Sequence, residues 1–82
     1  MNEYKNAILT DSNFFSIAET LKEQPDGIAG ILKVDTSRGS ALFKHNDKEL
    51  RFNGLSEIEI NDAEVHLNDG EHFFSFDVRT ER

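Results

Sequence analysis

The chain has no cysteine, no tryptophan and a single proline, and it contains no apolar run approaching the length of a membrane span. Without cysteine there is no disulfide framework, no thiol nucleophile and no thiolate-ligated zinc. Without a run near 18 apolar residues, no helix is expected to cross a bilayer. The opening Met1-Asn2-Glu3-Tyr4-Lys5 mixes charges and no apolar signal core follows it, so a cytoplasmic protein is expected. Basic residues are also scarce: nine Lys and Arg stand against sixteen Asp and Glu, for a formal net charge of −7. Between Glu57 and Glu71 there is no Lys or Arg, while Glu57, Glu59, Asp62, Glu64, Asp69 and Glu71 all fall there. Such a stretch repels phosphate and favours a basic partner. Its plainer reading is the solvated face of strands whose other face is buried.

What remains is enough for one small domain over residues 1–82. At this length, folding buries only roughly 60–65% of the surface of the unfolded chain. Seven Phe supply much of the core volume, each ring burying on the order of 150–250 Å². Residues 1–10 read as an arm. Asp11 or Ser12 is a suitable N-cap for a helix over 11–24. Phe14, Ile17, Ala18 and Leu21 make its apolar stripe, and the Phe14/Phe15 pair reads as core packing. Pro25-Asp26-Gly27 then stops the helix.

From Ile28 onward the hydrophobic period becomes two, and residues 27–79 read as a sheet or barrel. Strands are expected at 28–35, 39–45, 48–53, 57–61, 63–67 and 72–79. Turns fall at Asp35-Thr36-Ser37-Arg38, Asn46-Asp47, Asn53-Gly54 and Asn68-Asp69-Gly70. In the last hairpin, pairing Leu67 with His72 and Val65 with Phe74 puts Val65, Leu67, Phe74, Phe76 and Val78 on one apolar face. Phe73 then stands on the outer face with His66. The fold class is α+β, mostly β: one N-terminal helix and a curled antiparallel sheet or barrel of five to six strands.

The order of these elements resembles the cold-shock domain, a small barrel of the OB type. Gly30-Ile31-Leu32-Lys33-Val34 resembles the family's first strand, and Arg38-Gly39-Ser40-Ala41-Leu42-Phe43 stands where its first ribonucleoprotein motif would be. Glu49-Leu50-Arg51-Phe52-Asn53 stands where the second would be. The resemblance implies single-stranded RNA or DNA binding through stacked bases and a basic groove. The matching positions carry Val34, Ser40, Leu42 and Arg51 where the family has aromatics, so the stacking platform is not retained.

Nothing else in the sequence calls for catalysis, a cofactor or a metal. His66 and His72 are expected on opposite faces, and no serine sits in a nucleophile elbow. Two functions follow from these residues. The first is a non-enzymatic, acidic binding or regulatory module that docks a protein, with Glu57, Glu59, Glu64 and Phe73 as its contacts and a basic partner favoured. The alternative is a cold-shock-like single-stranded nucleic-acid binder, with Lys33, Arg38, Lys44 and Arg51 as its contacts.

Overall fold

The computed structural model describes residues 2–79. Alternating apolar and polar side chains build seven strands, with one helix between the first two, in the order β1 (Asn2–Ser12), α1 (Phe15–Glu23), β2 (Ile28–Asp35), β3 (Ser40–His45), β4 (Lys48–Phe52), β5 (Glu57–Ile60), β6 (Glu64–Asn68) and β7 (Phe73–Asp77). All seven strands form one antiparallel sheet in the order β4-β3-β2-β1-β7-β6-β5. The six strands read from the sequence are present within two residues at each end. The seventh, β1, replaces the expected arm over residues 1–10, of which residue 1 lies outside the described residues.

β1 is the central strand. It pairs with β2 on one side and β7 on the other, and it buries Ala7 and Leu9 completely. One register shift falls between Tyr4 and Ala7 and a second between Leu9 and Asp11. Its core-facing residues Tyr4, Ala7, Leu9 and Ser12 are therefore spaced three, two and three apart. That spacing hides the period of two, and each bulge bends the strand and increases its twist.

The bend shapes the whole sheet. β4 and β5 are its two edges, yet only residues 53–56 join them. Seven flat strands would set the edges about 29 Å apart at ~4.8 Å per step. The connection from Phe52 to Glu57 reaches at most about 18 Å. The sheet must curl, and the connection is pinned to both halves. Leu55 N–H donates to the Gly39 carbonyl (2.9 Å) and Ser56 N–H to the Asn68 carbonyl (2.8 Å). The two edges do not pair, so the sheet is open rather than a closed barrel.

Inside the curl lies one apolar core. Phe43 and Phe76, both fully buried, meet at 5.0 Å between ring centroids, and Phe52 meets Phe74 at 4.6 Å. Leu9, Leu32, Val34, Val65 and Leu67 fill the space between them. The radius of gyration is 11.6 Å, against about 12 Å for a compact folded chain of this length.

The helix begins at Phe15, not at residue 11, because residues up to Ser12 belong to β1. The Ser12 hydroxyl accepts the Phe14 N–H at 3.0 Å and turns the chain out of the strand, while the N-cap position, Phe14, makes no side-chain cap. α1 packs mainly on β1 and buries Ile17, with Leu21 half-buried behind it. Phe15 is 77% exposed and Phe14 40% exposed, so this pair is not the core element that its spacing implies. At about 100° per residue Phe15 stands some 200° from Ile17, on the far side of a nine-residue helix. Among the described residues no helix is long and apolar enough to cross a membrane.

The last hairpin keeps the expected faces but shifts its pairing by two residues. Leu67 pairs with Phe74 and Val65 with Phe76, leaving residues 69–72 as the loop. The Asp69 carboxylate sets this length: Oδ1 accepts the N–H groups of Glu71 (2.9 Å) and His72 (2.7 Å). Those bonds hold the Asp69 pKa below its ordinary 3.8, the His72 N–H contributing most and the Glu71 N–H next.

Candidate docking surface on the outer face

Because side chains alternate along a strand, every outward residue of the seven strands lies on one convex face. That face is divided by charge. On the β2-β3-β4 half, Lys33 pairs across to Leu42 and Leu42 to Arg51, while Lys44 lies between Ile31 and Glu49. On the β7-β6-β5 half, Glu64 faces Asp77, His66 faces Ser75, Glu59 faces His66 and Glu57 faces Asn68.

The acidic half gathers all four residues proposed from the sequence for protein contact. Glu57, Glu59 and Glu64 are exposed, and Phe73 is half-buried beside them. A shallow depression of about 250 Å³ is lined by Glu57, Glu59, His66, Asn68, Phe73 and Ser75. Glu57 and Glu59 stand about 6.8 Å apart along β5. That is less than the ~8 Å screening length at physiological salt, so their fields add. His66 bridges the strands: Nε2 lies 3.1 Å from Glu64 Oε1 and Nδ1 lies 2.9 Å from Ser75 Oγ. A carboxylate can only accept, so Nε2 carries the proton, and in the neutral ring Nδ1 accepts from the Ser75 hydroxyl. Phe73 is fixed from outside the sheet, its N–H donating to Asn13 Oδ1 at 2.8 Å. Not every acid of the sequence stretch reaches this face: Asp62 sits in the β5–β6 turn, and Asp69 and Glu71 sit in the β6–β7 loop.

The basic half is partly neutralised by its own acids, two of its bases sharing Glu49. Arg51 lies 3.0 Å from Glu49, Lys44 4.0 Å from Glu49, and Arg38 3.8 Å from Asp35. Asp35 stays ionised beside Arg38, its pKa lowered first by the hydrogen bond from the Ser37 hydroxyl (2.7 Å). Lys33 and Arg51 do share a groove of about 190 Å³ with Ser40, Leu42 and Asn53. Among the described residues no aromatic ring lies in it: Phe43 and Phe52 of the same strands point into the core. Arg38 lies in the β2–β3 turn, beyond the groove.

Three other depressions hold none of the acidic candidates, one of them, about 550 Å³, at the β3–β4 hairpin between Lys44 and Glu49; the remaining two lie elsewhere. One, of about 540 Å³, follows the β1 bulge between Lys5, Ile8, Ile31 and Arg79. The other, about 390 Å³, opens at the seam between β4 and the β6–β7 loop, with Phe14, Leu50, Phe52, Leu55 and Phe74 as its apolar lining. Reading by period could not find this seam, because Phe14 and Leu55 belong to connections rather than strands. His72 lies there, edge-on to Phe14 at 5.1 Å, on the other side of the sheet from His66. His45 stacks on Phe43 at 5.3 Å, and its pKa is lowered by burial first and by the Lys48 charge second. Among the described residues no three His, Cys, Asp or Glu side chains converge as a metal site.

Comparison with models of known protein families, with curated protein sequences and with solved structures finds no match to this chain.

Proposed function

We propose that the protein is a small non-enzymatic binding module that docks a basic protein partner on the outer face of β5, β6 and β7. One observation carries this reading. Glu57, Glu59 and Glu64 share a face with the half-exposed ring of Phe73, and the sequence from Glu57 to Val78 supplies no Lys or Arg to balance them. Like charges held within a screening length are relieved when a cation arrives, which favours a basic surface and speeds its encounter. An aromatic ring within a charged rim is the composition of an interface anchor.

The alternative, single-stranded nucleic-acid binding at Lys33, Arg38, Lys44 and Arg51, is disfavoured by the local chemistry. A base stacked on an aromatic ring contributes roughly 1–3 kcal/mol, and the outer face of β2–β4 presents Ile31 and Leu42 instead of rings. Three of its four bases already face acids.

The two readings separate in one pair of experiments. A partner captured from extract of the source cells and identified should bind the wild-type protein with an affinity that falls as salt rises. The triple variant Glu57→Lys/Glu59→Lys/Glu64→Lys should lose at least about tenfold. Unchanged binding by that variant means the face is only solvated. Micromolar binding of oligo-dT, weakened by Arg38→Glu or Arg51→Glu, would transfer the function to the basic half.

A further inference from the structure

A curled open sheet leaves two edges, and they differ in chemistry. β4 carries Lys48 and Arg51, and lysine in particular deters strand addition. β5 reads Glu57-Ile58-Glu59-Ile60, with no proline and no basic residue. Among the described residues no strand or helix runs along its free side.

The hydrogen-bond pattern shows which groups are unused. Asn61 N–H donates to the Glu64 carbonyl at 3.0 Å, which makes that pair a hydrogen-bonded one. Antiparallel pairing alternates, so Glu59 and Glu57 also direct their N–H and C=O groups at β6. The N–H and C=O groups of Ile58 and Ile60 therefore point outward from the sheet. Their side chains are half-buried and pack against the core from its open margin. Those of Glu57 and Glu59 stand exposed on the outer face.

We infer that β5 is a strand-addition edge, and that the basic partner supplies an extended segment in which Lys or Arg alternates with aliphatic residues. This deepens the function proposed above and rests on it. In such a segment, residues opposite Ile58 and Ile60 point to the core side and must be apolar. Those opposite Glu57 and Glu59 point to the acidic face and must be basic. A second copy of this chain does not fit. Two β5 strands would set Glu57 and Glu59 against each other, β4 of a second copy would bring Lys48 to the apolar side of Ile58 and Ile60 and Glu49 as well as Arg51 to the acidic face, and each chain carries a formal charge of −7.

The test uses the whole protein, labelled with nitrogen-15, and an eight-residue fluorescent peptide of alternating valine and lysine. Its control replaces two of the valines with proline, which keeps the charge but cannot pair along an edge. The alternating peptide should bind at least about tenfold more tightly than the control. Exchange of the Ile58 and Ile60 amide protons should slow at least about tenfold on binding, while Glu57 and Glu59, already bonded to β6, change little. Ile58→Pro, which removes an outward N–H that the free protein does not use, should lower the affinity to that of the control; the amide readout on the wild-type chain stands whether or not this variant folds. Equal binding of both peptides with unprotected Ile58 and Ile60 amides overturns strand addition and leaves the acidic docking face standing. Failure of both peptides to bind at low salt overturns the docking face as well. Protection of the same amides without peptide, with a doubled mass, overturns the inference by giving the edge to a second copy.

Discussion

Replacing Leu9 by Ala tests whether the N-terminal segment is the spine of the sheet or an appendage. Leu9 is fully buried, set between Ile28 of β2 and Phe76 of β7. The change removes three carbons, about 2.4 kcal/mol of transfer free energy at ~0.8 kcal/mol each. A cavity term adds to this, because the two flanking strands are hydrogen-bonded and cannot close on the gap, so the expected loss is about 3–4 kcal/mol. A chain of this length is stable by only ~4–12 kcal/mol. The midpoint of thermal unfolding should therefore fall by roughly 12–30 °C. Urea unfolding followed by circular dichroism should show a lower midpoint with an unchanged slope. Lys5→Ala, at an exposed position of the same strand, should stay within about 0.5 kcal/mol. If Leu9→Ala also stayed within that margin, β1 would be a loosely attached arm, and its central place in the sheet would be wrong.

Gly30→Ala should cost about 1–3 kcal/mol in the same assay, because an added Cβ meets the Lys44 carbonyl and comes to 3.0 Å from the Phe43 ring; a neutral result would mean that β3 can shift away. Phe15→Ser should leave the unfolding midpoint within about 0.5 kcal/mol of wild type, since the ring is 77% exposed, and a large loss would show that it is buried in solution. Asp69, whose folded pKa lies below 3.8, favours the folded state above that value and loses the contribution as pH falls through the folded pKa. The stability difference between wild type and Asp69→Asn should thus be constant at neutral pH and shift against the wild type below about pH 4. A difference independent of pH would mean that Asp69 does not bind its loop amides.

Most of the sheet was legible because its strands keep the period of two between turns whose chemistry is explicit. Asn46 and Asp47 hold φ of 46° and 65°, the left-handed pair that closes a two-residue hairpin. Gly54 takes positive φ in the expected Asn53-Gly54 turn, while Gly39, expected to open a strand, takes it one residue beyond the expected 35–38 turn. The regions misread fail for stated reasons. Two bulges disguise β1 as an irregular lead-in, and its membership of the sheet removes residues 11–14 from the helix. The two-residue shift of the last hairpin comes from side-chain capping by Asp69, which leaves no trace in hydrophobic periodicity. Closure into a barrel depends on whether two edges meet, and no local pattern encodes that. The common face of the acidic candidates was legible for the same reason as the strands: Glu57, Glu59, Glu64 and Phe73 alternate with buried neighbours, so their parity fixes it. What parity could not show is that β5 is an edge, because its neighbours are set by how β1 inserts between β2 and β7.

Whether the outer face of β5, β6 and β7 is the working surface is decided most directly by mapping amide chemical shifts. The labelled protein is titrated separately with the alternating valine–lysine peptide and with oligo-dT. The basic peptide should move the amides of Glu57–Ile60, Glu64–Asn68 and Phe73–Asp77 in a saturable, salt-sensitive manner, and oligo-dT should move none below about 100 μM. Saturable shifts at Lys33, Lys44 and Arg51 with oligo-dT, and none on the acidic half with the peptide, would contradict the acidic docking face.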